Sequence, residues 1–170
     1  MKKISLILII TLALLITGCG KKRVYSSPSS IKSTDDLTKS EGSISCTRDA
    51  TIQGNGEPSF NYYISYKDDN ILVLHSIEKI TSDDQQVLDQ YDEAYQKINK
   101  SYKNLKYYDT KVYRTDNSVA RDTTINYEKI DTDKLLKIEN TDDNVIVNGK
   151  AKLNKWLDLA LKLGVVCDED

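Results

Sequence analysis

The positions of the three cysteines constrain the fold of this chain more than any other feature of its sequence. Cys19 follows an apolar N-terminal run. Cys46 and Cys167 bracket the part of the chain in which apolar residues recur with the periods of strands and helices. A chain of 170 residues is long enough for one ordinary domain with appendages. We therefore predict a single domain over residues 46–167.

The N-terminal run has the features of an export signal. Two lysines follow Met1, and residues 4–16 are apolar except for one serine and one threonine. As a helix this run would be about 20 Å long, which is shorter than the ~30 Å hydrocarbon core of a bilayer. Its length and its basic flank are typical of a secretory signal peptide. We therefore predict a signal peptide over residues 1–18, with an uncleaved signal anchor as the alternative.

The run ends in the sequence LITGC, which resembles the lipobox of bacterial lipoproteins. The resemblance implies that Cys19 receives a diacylglyceryl group and that the chain is cleaved before it. Each buried acyl CH₂ contributes ~0.8 kcal/mol, so two or three acyl chains hold a small domain at a bilayer. We therefore expect an extracytoplasmic protein that is anchored to the bacterial membrane through Cys19.

Residues 19–45 are predicted to form a lipidated, flexible tether. Their few apolar residues follow neither the helical nor the strand period, so the segment offers no face to bury. A coil of this length reaches ~25–30 Å. Lys21, Lys22 and Arg23 either rest against anionic headgroups, at up to ~1 kcal/mol each, or keep the tether solvated.

Once Cys19 is assigned to lipid, Cys46 and Cys167 remain as an even pair in an exported protein, where disulfides persist. A bond between them would join the two ends of the predicted domain. The chain-entropy model gives roughly 5 kcal/mol of stabilisation for a loop of this length. A metal site would need more ligands than this pair and His75, and a redox pair usually has a Cys-x-x-Cys spacing. We therefore predict a structural disulfide between Cys46 and Cys167.

The hydrophobic pattern predicts an α+β fold, in which an antiparallel sheet of about five strands carries one long amphipathic helix and a C-terminal helix. Apolar residues at spacings of three and four indicate the long helix, for which Ser82 is the predicted N-cap. A coiled coil is the alternative, but the pattern lasts only about three heptads. Gly164 is expected to end the last helix. The predicted strands lie at 45–53, 59–67, 71–80, 106–114 and 118–128, and the helices at about 85–105, 131–138 and 153–161.

Several of these features resemble the YehR-like family of small bacterial lipoproteins. They are the lipobox cysteine, the segment 62–66 (YYISY), the tyrosine-rich helix and the segment 125–131 (INYEKID). The resemblance covers about residues 46–138. It implies a fold and a location, and it transfers no active site to this chain.

The sequence predicts no catalytic residue, no metal site and no cofactor. His75 is the only histidine, so it cannot build a zinc site or a catalytic triad by itself. Acid pairs at 68–69, 83–84 and 142–143 supply carboxylates of the kind that glycosidases use, but such pairs at turns and helix starts usually cap or stay solvated. The net charge of −2 leaves no basic excess for nucleic acid, which is therefore not an expected partner.

Eleven tyrosines are the one compositional excess. With a single Phe and a single Trp, tyrosine must fill the aromatic share of the core, yet exposed tyrosines suit recognition of a protein or a sugar. Tyr63, Tyr107, Tyr108 and Tyr113 are the candidate binding face. The leading hypothesis is a membrane-anchored, non-enzymatic module that binds an envelope protein or polysaccharide. The alternative is a small hydrolase of the cell envelope that uses acidic residues.

Overall fold

An antiparallel sheet forms the centre of the computed structural model, which describes residues 31–49, 56–141 and 144–170. The predicted signal peptide and Cys19 lie outside these residues. Within the described ranges the strand order of the main sheet is β4-β5-β3-β2-β1-β8, and β6 and β7 pair separately. The elements are β1 (Glu41–Asp49), β2 (Glu57–Lys67), β3 (Asn70–Thr81), α1 (Gln85–Tyr102), β4 (Tyr108–Arg114), β5 (Ser118–Asn126), α2 (Thr132–Glu139), β6 (Ile146–Val147), β7 (Lys150–Ala151), α3 (Leu153–Lys162) and β8 (Val166–Glu169).

One face of the sheet carries the hydrophobic core. Because side chains alternate across a strand, the register brings one buried residue from each of five strands into a single row. Helices α1 and α3 cover this row, and their buried residues belong to the same core. Trp156 of α3 packs edge-on against Tyr62 of β2, with ring centroids 5.3 Å apart. The row consists of Ile44, Ile64, Leu74, Ile125 and Tyr108.

Local capping sets where the helices begin and end. The N-cap of α1 is Asp84, whose side chain accepts a hydrogen bond from the Gln86 N–H. Ser82, the predicted cap, instead accepts from the Asp84 N–H and lies two residues before the observed N-cap. Asp131 caps α2 as its position predicts. After α3, Gly164 adopts a left-handed conformation with φ of +80°, which residues with a side chain rarely adopt.

The sheet has six strands instead of about five, because the chain after α3 returns to it. β8 pairs with β1, and Cys46 lies directly opposite Cys167 in that pairing. The two cysteines form the predicted disulfide. The bond therefore attaches the C-terminal strand to the sheet edge, where the short β8 has only one neighbouring strand within the described residues.

The folded part of the chain begins before the predicted boundary at residue 46. Ile31 is buried, and its N–H donates to the Cys167 carbonyl. Thr38 donates both its N–H and its hydroxyl to the Glu169 carboxylate, and these bonds lower the pKa of Glu169 to about 2. β1 itself starts at Glu41. These contacts involve isolated residues, so they produce no periodic pattern of apolar residues in the sequence. For this reason the sequence predicts a flexible tether as far as residue 45.

Candidate functional site

The face of the sheet opposite the core is not covered by a helix in the described parts of the chain. We call it the open face and define it by three rows of side chains, each crossing β1, β2, β3, β5 and β4. None of these side chains is buried, whereas the core row on the other face is buried throughout. The rows are Ser45–Tyr63–His75–Thr124–Asp109, Thr47–Asn61–Ile77–Asp122–Lys111 and Asp49–Ser59–Lys79–Ala120–Tyr113.

An aromatic pair lies at the centre of the open face. The rings of Tyr63 and His75 stack across β2 and β3, with centroids 5.6 Å apart and planes 25° apart. His75 Nε2 lies 3.0 Å from Asp122 Oδ1, so the carboxylate orients the imidazole from the opposite side. The pair thus offers ligands a flat ring surface whose orientation is set by neighbouring strands.

The surroundings of this pair are mostly uncharged, with the aliphatic side chains of Val73 and Ile77 on the same face of β3 and polar groups on the neighbouring strands. Ser45 flanks Tyr63 in its row, and its hydroxyl donates to the Asp170 carboxylate over 2.6 Å. Thr124 flanks His75, and Asn61 lies in the adjoining row. These hydroxyl and amide groups both donate and accept hydrogen bonds. The arrangement combines an aromatic ring for stacking with hydrogen-bonding groups on either side of it.

The four predicted tyrosines do not share one surface. Tyr63 and Tyr113 are exposed on the open face, while Tyr107 is exposed in the turn before β4, where Lys129 Nζ lies 6.0 Å from its ring centroid. Tyr108 is only 8% exposed and accepts a hydrogen bond from Arg121, so its assignment to a binding face is wrong. Consecutive strand residues point to opposite faces, and Tyr108 takes the core side of β4.

The pairing of His75 with Tyr63 is what the sequence pattern missed. Alternation through β3 grouped His75 with Ile71, Val73 and Ile77, as a structural or surface histidine. A register shift between Ser65 and Tyr66 instead turns Ile71 to the core side, opposite Tyr66, while His75 stays on the open face. The strand parity of Tyr63 and His75 was the available signal, but their pairing requires the register of β2 and β3.

A buried polar network lies on the other side of the sheet, beneath α1. Arg121 and Glu78 are 1% and 5% exposed, and their charged groups are 3.7 Å apart. Arg121 also donates to the Asn99 side chain at 2.9 Å and to the Tyr108 hydroxyl at 2.7 Å. Burial raises the pKa of Glu78, and the Arg121 guanidinium opposes that rise. Since solvent and ligands do not reach these groups, we assign the network to stability.

One member of each described acid pair behind the hydrolase hypothesis holds a structural position. Asp84 caps α1, and Asp69 accepts from the Asn154 N–H at the start of α3. The pair at 142–143 lies outside the described residues. Glu139 is a further acidic residue outside these pairs, and burial raises its pKa to about 7.

The described residues contain neither a candidate metal site nor a membrane-spanning helix. No group of three or more His, Cys, Asp or Glu side chains there could hold a metal ion. Within the same ranges no helix is long and apolar enough to cross a membrane.

Two solved structures align with this chain. The NMR structure of the E. coli YehR protein aligns with a TM-score of 0.52 and 19% identity, over 77% of this chain and 93% of that one. An NMR structure of a protein from Streptococcus pneumoniae TIGR4 aligns with a TM-score of 0.47 and 16% identity, over 91% and 98%. Neither a protein-family model nor a curated protein matches the chain. The first alignment supports a YehR-like fold, and at this identity it shows the fold alone.

Proposed function

We propose that this protein is a lipid-anchored, extracytoplasmic binding module without enzymatic activity, and that its open face takes a neutral envelope polysaccharide. The observation that carries the proposal is the stacked Tyr63–His75 pair at the centre of an uncovered sheet. An antiparallel sheet tolerates water on one face, but a large half-exposed tyrosine there adds apolar surface that solvation alone does not explain.

The chemistry of the open face favours a sugar over a charged polymer. A pyranose ring has a C–H face that stacks on an aromatic ring and hydroxyls that exchange hydrogen bonds at its rim. Tyr63 provides the ring, and Ser45, Asn61 and Thr124 provide hydrogen-bonding groups near it. Asp122, the acid nearest the centre, is bonded to His75. The centre of the face therefore presents no cluster of one charge that would select a polyanion or polycation.

The location and the family belong to the same proposal. The LITGC segment supports acylation of Cys19, and the Cys46–Cys167 disulfide is of the kind that persists outside the cytoplasm. The YehR-like fold supports membership of the YehR-like lipoprotein family, which the motifs at 62–66 and 125–131 also favour. An anchored module of this kind would hold the envelope polymer near the membrane.

The test is cosedimentation of the full-length lipoprotein, in detergent, with purified envelope polysaccharide. Tyr63→Ala is expected to weaken binding about tenfold, because an aromatic stacking contact contributes up to about 1.5 kcal/mol beyond its buried area. Tyr107→Ala is the matched control, because Tyr107 is 47% exposed against 46% for Tyr63 but lies outside the stacked pair.

Three outcomes would overturn the proposal. Equal binding by the Tyr63→Ala variant and the wild type would remove the open face as the site. Failure of the wild-type protein to cosediment with the polysaccharide would remove the sugar as the ligand of this face. Release of soluble fragments from the polysaccharide would favour the hydrolase alternative.

A further inference from the structure

We infer that the outer edge of β4, with the groove between β4 and α1, is a second binding site, which takes an extended acidic peptide as an added strand. This site adjoins the open face along β4 but does not use the Tyr63–His75 pair, so it does not depend on the proposal for that face. Three observations lead to it: unpaired backbone groups, a cluster of lysines without ion-pair partners, and the position of the edge in the molecule.

The first observation is the hydrogen-bond alternation along β4. The Asn126 N–H donates to the Tyr107 carbonyl at 3.0 Å, and the Thr115 N–H donates to the Ser118 carbonyl at 2.9 Å. Because bonded and non-bonded residues alternate in an antiparallel pair, the N–H and C=O groups of Thr110 and Val112 point away from β5.

β4 has no second neighbouring strand within the described residues, so these four groups face outward. An unpaired edge of this kind is a template for another strand. An extended peptide would therefore find two outward N–H donors and two outward carbonyl acceptors along β4.

The second observation is the charge of the groove beside this edge. The groove has a volume of about 580 Å³ and is lined by Lys100 of α1 and by Lys103, the C-cap residue of that helix. Lys111, whose side chain belongs to the open face, borders the groove at the β4 edge. All three are exposed, and none has an ion-pair partner among the described residues. Asp109 is the one acidic residue in the lining. The groove thus has an excess of positive charge, which favours a peptide with acidic side chains.

The far end of the same helix and strand shows that this excess is local. Arg114, at the end of β4, lies 2.7 Å from Asp89 and 3.7 Å from Asp92 on α1. Lysine on an edge strand also discourages unwanted pairing, which would account for Lys111. It does not account for Lys100 and Lys103, because Lys100 lies on α1 and Lys103 is the C-cap residue of that helix.

The third observation is the position of the edge. Residues 31–38 lie along β8 at the opposite end of the sheet, through the bonds from Ile31 to Cys167 and from Thr38 to Glu169. Five strand spacings of ~4.8 Å separate β8 from β4, which is roughly 24 Å. The edge of β4 therefore lies on the side of the domain away from the segment that leads towards Cys19.

The experiment uses the full-length lipoprotein in detergent and a fluorescent peptide of sequence EVEVTVEV. Binding is measured by fluorescence anisotropy at low salt, with the peptide KVKVTVKV as the charge control. We expect the acidic peptide to bind and the basic one to bind at least tenfold more weakly. Binding of both peptides alike, or of neither, would overturn the inference.

Variants separate the two contributions to the site. Lys100→Glu combined with Lys103→Glu is expected to weaken acidic-peptide binding at least tenfold, whereas Lys150→Glu combined with Lys155→Glu, on exposed lysines elsewhere, leaves it unchanged. Val112→Pro removes an outward N–H without breaking a β4–β5 bond, so it should also abolish binding. An unchanged affinity in either test variant would contradict the proposed contact.

Hydrogen exchange in the wild type keeps the test valid if Val112→Pro does not fold. The peptide should slow exchange of the Thr110 and Val112 amides and leave amides on β8 unaffected. Tyr63→Ala should not alter peptide binding, which distinguishes this site from the open face. A second copy of the chain on the β4 edge would appear as a dimer by light scattering, and that result would exclude the peptide as occupant.

Discussion

The buried network of Arg121 offers a sharp test of how this fold is stabilised. Arg121→Met removes the guanidinium that lies 3.7 Å from the Glu78 carboxylate and that donates to Asn99 and Tyr108. Methionine retains much of the aliphatic volume, so the main change is the loss of charge and of hydrogen bonds. Glu78, 5% exposed, is left as a buried carboxylate without its cation.

The expected loss follows from that burial. Removing one partner of a buried ion pair costs about 3–5 kcal/mol, because the remaining charge is neither solvated nor paired. The total stability of a domain is about 5–15 kcal/mol, so this is a large fraction of it. The corresponding fall in Tm is on the order of 10–20 °C.

The pH dependence of the loss has a definite sign. Burial raises the pKa of Glu78, and Arg121 opposes that rise, so the pKa rises further in Arg121→Met. A carboxyl whose pKa is raised by folding stabilises the folded state most at low pH, and this contribution is lost as the pH rises through the folded pKa. The variant should therefore be less destabilised at pH 4 than at pH 7.

Thermal and urea unfolding, followed by circular dichroism with the disulfide intact, measure these differences. The double variant Arg121→Met with Glu78→Leu is the control, and it should recover most of the lost stability because it removes both charges. If the double variant is as unstable as Arg121→Met, then lost packing and not an unpaired charge is the cause. That result would refute the reasoning.

Three further predictions concern the disulfide, a partly buried acid and a helix cap. Reduction of the Cys46–Cys167 bond should lower the free energy of unfolding by up to about 5 kcal/mol in the chain-entropy model, and the urea midpoint should fall with it. An unchanged urea midpoint in dithiothreitol would contradict the stabilising role of the disulfide. The pKa of Glu139 is raised from 4.5 to about 7, so its contribution to the free energy of unfolding, at most about 3 kcal/mol, should be lost as the pH rises from about 4.5 to 7. The loss of stability over this pH range should be smaller in Glu139→Gln. Equal stability–pH profiles for the variant and the wild type would contradict the prediction. Asp84→Ala should cost about 1 kcal/mol of unfolding free energy, and a value near zero would show that its bond to the Gln86 N–H does not stabilise α1.

Local pattern was sufficient for most of the elements. The two hairpins, the long amphipathic helix, the helix capped by Asp131 and the C-terminal helix ending before Gly164 all occur where hydrophobic periods and turn residues placed them. These signals are local because a period of 2 or 3.6 and a cap both depend on residues close in the chain. The disulfide followed from the count of cysteines once Cys19 was assigned to lipid.

Contacts between distant parts of the chain explain what the pattern could not predict. The packing of residues 31–38 on β8 depends on a few bonds across the length of the chain, such as that from Thr38 to Glu169. The predicted domain boundary at residue 46 therefore lies C-terminal to the first residues that pack on the domain. The sixth strand likewise depends on the pairing of β8 with β1, at opposite ends of the domain.

Amino-acid order alone determined most elements of this protein and the pairing of Cys46 with Cys167, since spacing and composition can be read from the sequence without any tertiary contact. The register between strands decided which side chains are in contact. In the observed register Tyr63 stacks on His75, Tyr108 lies in the core and Ile71 lies opposite Tyr66. A shift of one residue between paired strands exchanges the two faces of a sheet, and that shift is set by packing across the whole fold. For this reason the candidate binding surface could be identified only from the tertiary structure.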